Sequence, residues 1–208
     1  MSLSKTPDFI PGLELSRIFY TEAVRPVIDL HFPSLAYSAA RIGYGSEVLG
    51  FDTPLSRDHD WGPRLTLFLR LEDHSRLHAE IDHALRRDLP KQIRGYPTHW
   101  TDPRADGTLT MLEIEQGPVH HRVEIRTLNE FVSDYLGHDL DQPLDPSDWL
   151  TFPQQKLLGL TGGAVYHDEI GLEDLRGRFH WYPHDVWLYQ LAAGWARIGQ
   201  EEHLVGRA

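Results

Sequence analysis

The sequence predicts an α+β protein, in which a mixed α/β sheet is covered by helices and followed by a mainly helical C-terminal region. Three observations carry this reading. Apolar and polar side chains alternate with a two-residue period from Asp58 to Leu69, helical periodicities flank that stretch, and after residue 127 short helical pieces are separated by Gly and Pro.

Taken in order, residues 12–31 place Leu15, Ile18, Phe19, Val27 and Ile28 at helical spacing, with Pro26 expected to kink or divide the helix. YSAARIGYGS then reads as a buried first strand and a tight turn ending in Gly45-Ser46. In RDHDWGPRLTLFLRL, the expected second strand, Asp58, Asp60, Arg64 and Thr66 point one way and Trp61, Leu65, Leu67 and Leu69 the other. Residues 73–88 open with a capping Asp73 and repeat Leu77, Ile81 and Leu85 every fourth residue, a helix that would cover the core face of that sheet. TLTMLEIE and VHHRVEIRTL, joined by Gln116-Gly117-Pro118, suggest an antiparallel hairpin. A polar stretch at 138–150 reads as a linker, which divides the chain into a sheet-bearing region 1–137 and a helical region 138–208. Past the Gly162-Gly163 break, Pro183 opens a last helix in which Trp187, Leu191 and Trp195 recur every fourth residue. These aromatics, with Trp181, Tyr182 and Tyr189, are expected to fill a core.

Composition narrows the function. A net charge of −11, from 31 acidic and 20 basic residues, argues against broad binding to nucleic acid or anionic membrane, both of which need a surplus of Lys and Arg. No window approaches the roughly 18 apolar residues of a membrane span. The start MSLSKTPDF lacks the basic and apolar regions of a signal peptide, so a cytoplasmic protein is expected. With 0 cysteines, thiolate nucleophiles, disulfides and Cys-ligated zinc are excluded, leaving acid and base chemistry to carboxylates and 13 histidines.

The informative stretch is GYGSEVLGFDTPLSRDHDWGPRLTLFL, where a Gly-Ser turn is followed about a dozen residues later by Asp-x-Asp. On a strand, Asp58 and Asp60 would share a face with carboxylates roughly 7 Å apart. Hard oxygen ligands of that kind suit Mg²⁺, and two ions about 4 Å apart fit nucleotidyl transfer. The Gly45 and Ser46 N–H groups and the Ser46 hydroxyl would hold the terminal phosphates of a nucleoside triphosphate such as ATP. Arg64, Arg122 and Arg126 fall on the expected cleft face as candidate phosphate contacts, and Arg57 and Lys156 are further candidates.

Gly45-Ser46 with Asp58-x-Asp60 is similar to the signature of the nucleotidyltransferase superfamily. More closely, GSEVLGFDTPLSRDHDWGPRLTLFL, LTFPQQKLL and YPHDVWLYQLAAGWARIGQEEHLVGR resemble an uncharacterised bacterial family catalogued as domain of unknown function 4037, a likeness that covers most of the chain. The superfamily resemblance implies a third metal-binding carboxylate on a later strand, for which Glu124 is the matching position and Glu113 and Glu115 are competitors. It also implies a helical region that selects the acceptor and continues past Gly206, so the helical region is expected to be cut short. This sequence departs from the pattern in the long gap before Asp58 and in the bulky His59 and Trp61, so a bulkier turn is expected.

The resulting expectation is a Mg²⁺-dependent enzyme that moves a nucleoside monophosphate to a hydroxyl of a cationic small molecule, a protein or, less in keeping with the acidic chain, a nucleic acid. A non-catalytic nucleotide-sensing or partner-binding module is the alternative, and binding without turnover would distinguish it. A histidine-based metallohydrolase would need a third ligand beside His74 and His78; no HExxH pattern is present, and neither His120-His121 nor His180 with His184 supplies one.

Overall fold

The computed structural model describes residues 7–57 and 60–205, with the side chains of residues 56, 57 and 202–205 excepted. It is an α+β fold: a mixed four-stranded sheet in the order β5-β2-β1-β6, with helices on both faces and a separate two-stranded sheet.

Helix α1 (Gly12–Phe19) runs through a π-helical stretch, Tyr20–Val24, into α2 (Arg25–His31). The expected bend at Pro26 takes this form because Pro offers no N–H and its ring crowds the carbonyl four residues back; widening the preceding turn relieves both. Strand β1 (Tyr37–Arg41) is buried along its whole length and pairs antiparallel with β2 (Arg64–Leu69).

The second strand is shorter than its alternation suggests. Asp60 sits in a bend with φ 49°, Gly62 has φ 152°, and Pro63 has no N–H to donate, so extended pairing starts only at Arg64. Asp60 therefore does not occupy a strand position, and Asp58 lies outside the described residues. Helix α3 (Leu71–Asp88) starts two residues before the expected cap, with Arg70 at its N-cap and Asp73 in its first turn, where a carboxylate favours the helix dipole. Its Ile81 and Leu85 are fully buried against the sheet as expected, and Leu77 packs at the margin.

The expected hairpin does not form. After the short β3 (Gln92–Ile93) and β4 (Tyr96–Pro97), the 108–112 segment bonds back to 99–104, through Thr101 N–H to Thr110 O at 2.9 Å and Leu112 N–H to His99 O at 2.8 Å. This leaves β5 (Arg122–Thr127) free to pair parallel with β2, which the long connection through α3 makes possible. Thr127 then caps α4 (Leu128–Leu136) in a capping box with Glu130.

Helices α5 (Pro146–Thr151) and α6 (Gln154–Thr161) follow. The segment Ala164–Asp168 is a strand the periodicity did not reveal: β6 pairs antiparallel with β1, so the sheet draws strands from both sides of residue 138. Asp168 accepts from Ser38 and from the N–H groups of Gly171, Leu172 and Glu173, which ties β6 to α7 (Leu172–Phe179) and holds its carboxyl down at about 2 against the cost of burial. The last helix, α8 (His184–Val205), buries Val186. Its aromatics do not fill a core: Trp187, Tyr189 and Trp195 are exposed, as is Trp181 before it, because the helix runs on beyond the elements that cover the sheet. Only Tyr182 packs against buried residues.

Two apolar clusters result. One lies between α1, α2 and α3 and the sheet face bearing Leu65, Leu67, Val123 and Ile125. The other lies on the opposite face, where Ala40 and Phe68 meet Phe131, Leu160 and Leu172. Among the described residues no helix is long and apolar enough to cross a membrane.

Candidate functional site

The second sheet face is covered at one end only. In the parallel register, Arg64 lies beside Arg122, Thr66 beside Glu124 and Phe68 beside Arg126, all on this face, with Val123 and Ile125 turned to the other core. Phe68 is sealed under Phe131 of α4, whereas the arginines and Glu124 line a cleft of about 270 Å³ with Tyr44 and Tyr135. The two tyrosines also line a second cavity, of about 570 Å³, bordered by Gly45, Ser46, Phe51 and Lys156. Both are within the size range of small-molecule sites or close to it.

The wall nearest the Gly-Ser turn is built by a buried ion cluster that the sequence reading missed. Glu47, almost fully buried, accepts from Arg41 Nε at 2.8 Å and from Arg64 Nη2 at 2.8 Å. Arg41 also donates to the carbonyl of Ile42 at 2.9 Å and to that of Tyr44, which fixes the path of the turn. Burial alone would raise the Glu47 carboxyl, but the two arginines outweigh it and hold it below its ordinary value. Burial and the repulsion of Arg64 lower Arg41 to about 10, with Glu47 working in the opposite direction. The available signal was a lone Arg inside the small, apolar run SAARI, because a cation that the strand buries needs a nearby anion.

Gly45 is required where it stands. Its φ is 136°, and a Cβ there would lie 2.4 Å from a Glu47 carboxylate oxygen and 2.5 Å from Arg41 Nη2. From the other side, α6 clamps the turn: Gly159 O accepts from Gly43 N–H at 2.8 Å, and a Cβ on Gly159 would meet the Tyr135 hydroxyl at 2.1 Å. The Gly45 and Ser46 N–H groups are not engaged by any other described residue.

The remaining candidates divide into engaged and free. Arg64 is held by Glu47, and Arg126 pairs with Asp134, donates to Glu130 O at 3.1 Å and stacks at 5.9 Å on Phe131. Among the described residues, Arg122 and Lys156 have no carboxylate partner; they rest over Trp100 and Tyr135 at 5.9 and 5.6 Å. Glu124 is exposed and forms no ion pair or hydrogen bond with another described side chain. Asp60 lines neither cavity, and its N–H donates to Leu109 O at 3.0 Å. Arg57 closes a 3-10 turn, Pro54–Arg57, but its side chain lies outside the described residues, as does Asp58. Among the described residues no group of three His, Asp or Glu side chains is placed to hold a metal ion, and His74 and His78 stack edge to face.

Comparison with known proteins adds one finding. Residues 149–208 match a protein family described as Domain of unknown function (DUF4037). The matched segment includes Lys156, β6, α7 and α8, while the Gly45-Ser46 turn and Glu124 lie outside it. No curated protein and no solved structure matches the chain.

Proposed function

We propose that the cleft binds a nucleoside triphosphate, such as ATP, with Mg²⁺ and transfers the nucleoside monophosphate to a hydroxyl of an acceptor. The observation that carries this reading is the position of Glu124, a carboxylate with no side-chain partner among the described residues, in the same cleft as Arg64 and Arg122, one tyrosine pair away from a Gly-Ser turn whose N–H groups no described residue engages. Cations around a turn whose N–H groups meet no described partner suit a polyphosphate, and Glu124 is a hard oxygen donor of the kind a divalent ion takes.

In this reading Gly45 and Ser46 hold the leaving phosphates, and Arg122 and Lys156 neutralise their charge. Glu124 takes the proton of the acceptor hydroxyl as its oxygen bonds to the α-phosphorus; the bond from that phosphorus to the bridging oxygen breaks and pyrophosphate leaves with the electron pair. Glu124 in the cleft would be an oxygen donor for Mg²⁺, with Asp58, which lies outside the described residues, as a second; Asp60 lines neither cavity, and a bound ion would offset charge on the transferring phosphoryl group. Buried Glu47 does not enter the reaction, because both arginines occupy it. The fit is best for the phosphate half: four arginines and Lys156 line the two cavities.

Calorimetric titration of Mg²⁺-ATP into the wild-type protein and into the Asp58→Asn, Asp60→Asn double variant tests the reading. Micromolar to sub-millimolar binding lost in the variant supports it; no binding of any nucleoside triphosphate with any divalent ion refutes it. The binding-only alternative draws on the lack of a three-carboxylate group among the described residues. Equal ATP affinity in wild type and double variant, with no release of labelled pyrophosphate, would favour it.

A further inference from the structure

Helix α8 carries an apolar face that no described residue covers. At about 100° per residue, Trp187, Leu188, Leu191, Trp195 and Ile198 fall within one stripe, and Val186, the side chain α8 buries against α5 and α7, lies on the opposite side. The five stripe residues are 48%, 46%, 43%, 73% and 64% exposed. Two tryptophans and three aliphatic side chains at these exposures present roughly 500 Å² of apolar surface. That is as large as the largest patch of an ordinary monomer, and such patches mark interaction sites.

We propose that this face is the two-fold interface of a homodimer in which α8 packs antiparallel against α8 of a second copy. The spacing of the stripe selects this occupant. In an antiparallel pair related by a two-fold axis, residues equidistant from the axis level face each other across the two helices. With that level at Ala193, Leu191 meets the partner's Trp195, Leu188 meets the partner's Ile198, and Trp187 meets the partner's Gly199. Every large side chain thus opposes an apolar one, and the outermost tryptophan opposes a glycine whose surroundings are open. The three-four-three spacing of Leu188, Leu191, Trp195 and Ile198 is that of a helix–helix seam. Covering the stripe on both copies removes on the order of 1,000 Å² from water, the size at which specific association begins. The reading is independent of the nucleotide site.

Sedimentation equilibrium of the full chain from micromolar to sub-millimolar concentration tests it. The wild type is expected to sediment as a dimer, and Leu191→Glu with Trp195→Glu to weaken association on the order of a hundredfold, with an unchanged far-UV circular dichroism spectrum because both side chains are exposed. The 208-residue sequence has no cysteine, so orientation can be read separately. In a mixture of Leu191→Cys and Trp195→Cys chains, mild oxidation should form the mixed disulfide in excess over either homodisulfide. A wild type that stays monomeric throughout overturns the proposal and leaves the stripe to a partner of different sequence. A dimer that survives the double substitution, or cysteines that prefer their own kind, overturns it equally.

Discussion

The two faces of the central sheet begin from the same strands and end differently. On one, Leu65, Leu67, Val123 and Ile125 are sealed by α1, α2 and α3; on the other, cover from α4 and α6 reaches Phe68 and stops, leaving Arg64, Arg122 and Glu124 along a cleft. The first face is a closed core, while the second is core at one end and open at the other, because polar strand positions are tolerable only where the covering helices leave them accessible to water or to a ligand. Between the two lies the Arg41–Glu47–Arg64 cluster, buried like a core and charged like a site.

Breaking that cluster should produce the largest loss. Glu47→Ala leaves Arg41 buried without its anion, and urea unfolding should show a cost of about 3–5 kcal/mol. A comparable or slightly smaller loss, about 3 kcal/mol, is expected for Leu85→Ala on the closed face, where the side chain is fully buried; nucleotide binding at saturating stability should be unaffected. Gly45→Ala combines a positive φ with contact against Glu47 and Arg41, so about 1–3 kcal/mol of destabilisation should be accompanied by loss of Mg²⁺-ATP binding in calorimetry.

Acid should expose the cluster through its carboxylate. The folded Glu47 has a lowered pKa, so its stabilising contribution is complete above the ordinary value of 4.5 and disappears as the pH falls below that towards the folded value. Thermal unfolding of wild type and Glu47→Gln should therefore converge at acidic pH and separate above it. The smallest effect on stability is expected at Glu124, which is exposed: Glu124→Gln should leave the unfolding midpoint unchanged while abolishing release of labelled pyrophosphate. A Glu124→Gln protein with full turnover would remove the distinction between a structural and a chemical face.

The alternation of Arg122, Glu124 and Arg126 against Val123 and Ile125 was legible, and so was the stripe of Ile81 and Leu85, because residue spacing alone sets which side chains share a face. The partner of each face was not. The antiparallel hairpin expected for 108–128 became a parallel β2–β5 pair, since backbone groups pair with whatever strand the connections bring near. Asp60 left the strand because Gly62 and Pro63 stand between it and Arg64, a local signal outweighed by the apparent period. Lys156 and Gly45 came together across more than half the chain through the close approach of α6 at Gly159, which no spacing encodes.

By itself, then, the sequence determined the class of fold, the helices and their apolar stripes, the Gly-Ser turn and the face on which Glu124 stands, all consequences of backbone periodicity and of local steric limits. Tertiary structure alone decided that Arg41, Glu47 and Arg64 meet, that β6 closes the sheet beside β1, and that Trp187, Tyr189 and Trp195 of α8 stay outside the core of their own chain. Those outcomes depend on contacts between residues far apart in the chain, and the free energy of such contacts is set by the surface each element finds available once the others are in place.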